Sequence, residues 1–219
     1  MSLQKRHAIG NLLFWFQIAC ASVFCTAQSL KMLKSTQGVS LGFFICHGVF
    51  TLLNLSLSIA ALRNVSDGER VIKRQSAFIY TTWTLVLLVH IGIALWKMEQ
   101  LWKTIDTISS VTVALGVIFI VGLAKSKNLS LLDPYVKAGL AVFFKSVPQV
   151  SLAVVIYQYG KEGLSGIWIL VGHITILTRI VHLWISKQEK WDRNTKGSFV
   201  SEVWNEVSWL VATVAWFIF

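Results

Sequence analysis

Residues 25–44 read CTAQSLKMLKSTQGVSLGFF, and residues 146–170 read SVPQVSLAVVIYQYGKEGLSGIWIL. Each string carries a glutamine near the end of one apolar run and a Gly-apolar-Ser sequence at the start of the next. Gln28 leads to Gly38 and Ser40, and Gln149 leads to Gly163 and Ser165. Further along, similar apolar runs begin at Trp83 and at Trp209. Internal self-similarity of this kind marks a supersecondary unit used more than once, so two related helical halves are expected.

The surroundings of these strings are suited only to lipid. Of 219 residues, 55% are hydrophobic and 14% charged, with a mean hydropathy of +0.64, a mix too poor in polar side chains to cover a soluble surface. A helix needs roughly 20 apolar residues to cross about 30 Å of hydrocarbon. Seven runs qualify, at approximately 8–29, 39–62, 75–96, 105–124, 136–158, 164–186 and 199–219. The expectation is an all-α membrane protein of seven transmembrane helices, with connections too short for an extramembrane catalytic domain. Lys5 and Arg6, followed by an apolar run with small residues near Ala21, loosely resemble a signal peptide. That run opens the first repeat, however, and is read as a first span.

The net charge of +10 does not point to nucleic acid, because the basic residues sit in short clusters between spans, where anionic headgroups attract them. Cys20, Cys25 and Cys46 all fall inside spans and read as small apolar fillers, with no disulfide framework or zinc site. His47, His90, His173 and His182 lack the spacing of a helical metal site. No metal and no cofactor are expected.

Three helices are an odd number, so a second copy joined directly would be inverted; one additional span restores the orientation. The plan is therefore two parallel three-helix bundles with a linker: residues 1–96, the helix within 97–130, and residues 131–219. Parallel repeats of this sort build carriers whose substrate site lies between the repeats. With the Pro148-Gln149 pair and the KSTQGVS string from Lys34 to Ser40, the chain resembles the PQ-loop repeat family, which includes the SWEET-like (MtN3) seven-helix transporters. The first repeat departs from the family in having Ala27-Gln28 in place of Pro-Gln.

Seven spans place on one side Lys5, Arg6, Arg63, Arg70, Lys73, Arg74, Lys125, Lys127, Lys137, Lys187, Lys190, Arg193 and Lys196, against Lys31, Lys34, Lys97, Lys103 and Lys161 on the other. This bias puts the N-terminus in the cytoplasm, and the sequons at Asn64 and Asn128 with it. The family resemblance implies the opposite orientation.

Several polar residues fall within spans, where each needs a partner or water. Pro148 removes a backbone donor and loosens its helix; with Gln28 it is a candidate hinge. Gln149, Lys145 and Asn205, walled by Trp83 and Trp209, are candidate substrate contacts. In the family an asparagine pair on the third and seventh helices resembles the substrate clamp; here Asn205 is present and its counterpart on the third helix is Ile79. Phe24 is the first-repeat counterpart of Lys145, and Asn54 reads as packing. Arg179, Glu202 and Glu206 are expected to form a buried charge network. Glu206, His90 and His173 are candidates for proton coupling. Trp15, Trp96, Trp102, Trp184, Trp191 and Trp204 read as an interfacial belt.

The expected function is transport of a small polar solute, a sugar, amino acid or similar, by alternating access, as a uniporter or coupled to protons. No covalent chemistry is implied. The alternatives are a cargo receptor resembling the KDEL receptor, a lipid-linked-sugar helper, or a vitamin carrier of the Pnu kind. The expected partners are the solute, protons, the lipid bilayer and a second copy in a homo-oligomer, and not nucleic acid. With the last span reaching Phe219, no tail is expected to hold a sorting signal, which favours a bacterial inner membrane or plasma membrane over an endomembrane.

Overall fold

In the computed structural model the described residues are 3–62, 67–97, 102–131, 133–186 and 193–219. Arg63, the Asn64 sequon, Lys187, Lys190 and Trp191 lie outside them, as do the side chains of Lys5, Arg6, Lys73 and Arg193. The described residues are helical, with no strand among them. The helices are α1 (Leu3–Lys34), α2 (Leu41–Leu62), α3 (Asp67–Lys97), α4 (Thr104–Ser126), α5 (Pro134–Tyr159), α6 (Gly166–Ser186) and α7 (Arg193–Ile218). The first six are long and apolar enough to cross a membrane. At 26 residues α7 is as long, but Glu202, Asn205, Glu206 and Ser208 lower its apolar content.

The helices begin where the local chemistry permits. Ser40 caps α2 by accepting the Phe43 N–H at 2.9 Å, and Ser165 caps α6 by accepting the Trp168 N–H at 3.4 Å, each satisfying one of the free donors of a first turn. Asp133 accepts from the Tyr135 N–H at 2.9 Å, with Pro134 in the first turn of α5, where a missing N–H costs nothing. Helices α1 and α3 continue past the apolar stretches expected at 8–29 and 75–96, because nothing in their flanks breaks a helix. The extension of α1 carries Lys31 and Lys34 into its last turn, beside the partly negative helix end.

Within α5, Val142–Ser146 form a π turn immediately before Pro148. Proline cannot donate to the preceding turn and its ring crowds it; the wider turn absorbs both effects, and such turns recur at functional sites. Lys145 sits in it.

Packing follows a regular scheme. Helix α3 packs on α1 and α2, and α7 packs on α5 and α6; between these groups α1 lies on α6 and α2 on α5. Helix α4 covers α2 and α5. Its first turn is pinned by Asp106, which is fully buried, accepts from the Ser40 hydroxyl at 2.5 Å and from the Lys103 N–H at 3.0 Å. Lys103, just outside the span, donates its ammonium to the Val39 carbonyl at 2.5 Å; burial pushes its pKa down and Asp106 opposes the shift.

The surface is the inverse of a soluble protein's. Leu12, Trp15, Leu88, Leu115, Ile118, Val214 and Phe217 are each more than half exposed, whereas Gln28, His90 and Asp106 are fully buried. Apolar surface on this scale needs lipid to cover it, and a multi-pass membrane protein follows. Trp96, Trp102, Trp184 and Trp204 are exposed as well.

Candidate functional site

The starts of α1, α3, α5 and α7 and the ends of α2 and α6 surround a cavity of about 390 Å³ that reaches inward to Lys145, Arg179 and Glu202. Its outer wall is polar, with Gln17, Asn54 and Gln75 among the lining side chains. Deeper, past Phe50 and Tyr80, lies a second space of about 100 Å³, which shares Lys145 and Arg179 with the first. Trp83, Gln149, Asn205, Trp209 and Lys145, the five side chains expected to contact substrate, all line this inner pocket. Phe24, the counterpart of Lys145, lines it too, while Ile79 and Asn54 lie further out.

A chain of polar contacts crosses the pocket. The Lys145 ammonium donates to Glu202 Oε1 at 3.1 Å, and the Arg179 guanidinium stands 3.6 Å from the same oxygen. Asn205 Nδ2 donates to Glu202 Oε2 at 3.2 Å, and Gln149 Nε2 donates to Asn205 Oδ1 at 2.9 Å. The Ser208 hydroxyl donates to Gln149 Oε1. Low dielectric makes such a network costly to break, since every orphaned group keeps its desolvation penalty. Two further contacts hold the cations: Lys145 Nζ lies 5.0 Å from the centre of the Phe50 ring, and Arg179 bonds Tyr80.

The inner end of the pocket is aromatic. Trp168 and Trp209 meet edge to face with centroids 4.9 Å apart, and Phe43 lies 5.6 Å from Trp168 and 6.0 Å from Trp209. Trp83 stacks edge-on against Phe24 at 5.0 Å. The Trp209 indole N–H donates to the Ile169 carbonyl at 3.0 Å, so the ring presents its apolar face to the space.

Beyond this aromatic floor, at the other end of the helices, the two Gly-apolar-Ser loops touch. The Gly163 N–H donates to the Gln37 carbonyl at 2.7 Å. Gly38 and Gly160 both have positive φ, 77° and 82°, and a side chain on Gly38 would run into the Gly160 carbonyl, so only glycine fits there. Gln28 spans the contact: its Nε2 donates to the Gly163 carbonyl at 2.9 Å, and its Oε1 accepts the Ser165 N–H at 3.0 Å. Gln28, expected as a hinge, is fully buried and bridges the two loops. Gln149 does not make the symmetric bonds; its amide is taken up by Asn205 and Ser208 instead.

Glu206 does not join the Arg179 and Glu202 network, as had been expected. It faces α6, where its Oε1 lies 2.6 Å from His173 Nδ1, and His173 Nε2 lies 2.8 Å from Thr213 Oγ1. The Thr213 hydroxyl also reaches the Trp209 carbonyl at 2.9 Å. Glu206 Oε2 and His90 Nδ1 are buried without a partner among the described residues. His90, against Phe24 and Phe44, contacts the Cys25 carbonyl at 3.3 Å. Neither His90, His173 nor Glu206 lines the cavity.

Three further positions escaped sequence reasoning. Trp168 was available from the repeat, since it stands three residues after Ser165 as Phe43 does after Ser40. Asp106 is the single acidic residue in the fourth apolar run, which is signal enough that it has a partner. Nothing in the sequence singles out Tyr80. No family model matches the chain, and neither a curated protein nor a solved structure does.

Proposed function

We propose that this chain is a carrier for a small polar solute, working by alternating access, on the seven-span plan of the PQ-loop and SWEET-like proteins. In this reading α1–α3 and α5–α7 are the two bundles and α4 is the linker. Exchanging α1 with α5, α2 with α6 and α3 with α7 turns each packing contact within and between the bundles into another that is also made, as a pseudo-two-fold axis requires. The observation that carries the proposal is the central cavity, open at one end and closed at the other by the matching loops of the two halves. Such a closure is built to come apart. It rests on a few hydrogen bonds and on glycines, and water can satisfy the freed groups. Pro148 and the π turn give α5 a place to bend without breaking a regular ladder.

Proton coupling is supported by the His173, Glu206 and Thr213 chain, a hydrogen-bonded run of side chains able to pass a proton beside Trp209, a wall of the pocket. The second reading is a cargo receptor, which the one-sided cavity with Lys145 and Arg179 also suits. Flux into liposomes of a panel of sugars, amino acids and nucleosides tests the carrier. Uptake of at least one solute that is abolished by Asn205→Ala and Gln149→Ala is expected; absence of flux for the whole panel leaves the receptor.

A further inference from the structure

Three charged side chains meet where the inner pocket joins the outer cavity, two cations and one anion: Lys145 and Arg179, which line both spaces, and Glu202, which lines the outer one and contacts both cations. One carboxylate shared between two cations leaves a surplus positive charge in a membrane interior, where an uncompensated charge is costly. The hydrogen-bonding capacity is just as uneven. Glu202 directs Oε1 at both cations and Oε2 at Asn205, and the Gln149 and Asn205 carbonyl oxygens already accept from Ser208 and Gln149. The carboxylate and amide acceptors of this network are spent on the protein itself. Donors remain: an ammonium has three and a guanidinium five, and the Arg179 side chain is 25% exposed toward the cavity.

A donor-rich pocket with one surplus charge calls for a ligand group that only accepts and carries a single negative charge. Resting on the carrier reading, we propose that the transported solute is a monocarboxylate, its carboxylate bound between Arg179 and Lys145 and its apolar body laid against Trp209 and Trp83. The planar guanidinium matches a carboxylate with two parallel bonds. A dianionic phosphate would overshoot the surplus. The indole N–H of Trp209 is already committed to Ile169, so that wall offers a flat apolar face.

Matched pairs that differ only in this group test it: nicotinate against nicotinamide, and benzoate against benzamide, with glucose as an uncharged control. Calorimetric binding to the purified full-length chain and uptake into liposomes are measured side by side. The acids are expected to bind at least about tenfold more tightly than their amides, the effect of one charge-assisted bond. Arg179→Gln is expected to erase that ratio, and Arg179→Lys to retain part of it by keeping the charge without the fork. Carboxylates that bind with this preference but do not cross the membrane uphold the class of ligand and refute the carrier. Glucose or an amide moving while the acids neither move nor compete refutes the carboxylate and upholds the carrier. Equal affinity for acid and amide, or no binding of either, overturns the inference.

Discussion

Replacing Gln28 by leucine keeps the side-chain volume and removes both hydrogen bonds that tie the two loops together. The Gly163 carbonyl and the Ser165 N–H then lose their partners, at 2.9 and 3.0 Å, in a site from which water is excluded. Each orphaned group costs about 1–3 kcal/mol, together about 2–6 kcal/mol. Once the loops part, water satisfies both groups, so the penalty falls on the closed arrangement alone. Tenfold in a population corresponds to about 1.4 kcal/mol. Leu164, between those two residues, is 2% exposed and serves as reporter. In a background with Cys20, Cys25 and Cys46 changed to alanine, Leu164→Cys is treated with a membrane-impermeant thiol reagent. Adding Gln28→Leu is expected to raise the labelling rate at least about tenfold. An unchanged rate in a folded double variant would refute this bridging role.

Other expectations concern the polar network and its neighbours. Glu202→Gln leaves Lys145 and Arg179 facing each other unneutralised, and a loss of about 3–5 kcal/mol is expected in thermal or denaturant unfolding of the purified protein; removing Lys145 as well by Lys145→Met should recover part of it. Trp209→Ala removes a buried ring together with its bond to Ile169, at about 3–5 kcal/mol, and should weaken solute binding more than it weakens folding of variants outside the pocket. Glu206→Gln keeps the shape of the His173 contact and removes the carboxyl group that proton coupling would use. If transport is proton-coupled, uptake driven by a pH gradient should disappear while exchange of solute at equal pH persists, and loss of both would assign Glu206 to structure alone.

Much of the fold is legible because lipid imposes a single demand, long apolar runs, and because the repeat marks where runs end. Ser40 and Ser165 are capping residues in the structure at the places where the repeated Gly-apolar-Ser strings set them. The pocket residues are legible for a related reason. Polar side chains in spans have few places to go, and Lys145, Gln149 and Asn205 converge there. Pairings are another matter. Gln28 finds partners 135 and 137 residues away, and nothing in a helical period says which loop a buried amide will meet. Glu202 and Glu206, one turn apart, part company for the same reason: a small rotation about α7 aims the first at Arg179 and the second at His173. Tyr80 looks like any interfacial tyrosine until Arg179 is placed against it.

Locking the closed end covalently tests alternating access most directly. Gln37 is exposed, and its carbonyl accepts from Gly163 at 2.7 Å; the Lys161 backbone packs beside Gly38. Cysteines at 37 and 161, in the background without native cysteines, can be joined by a short reversible bifunctional thiol reagent. Solute uptake into liposomes is expected to stop on cross-linking and return on reduction, while binding from the open end survives throughout. Uptake that continues with the loops covalently joined would contradict a carrier that must open there.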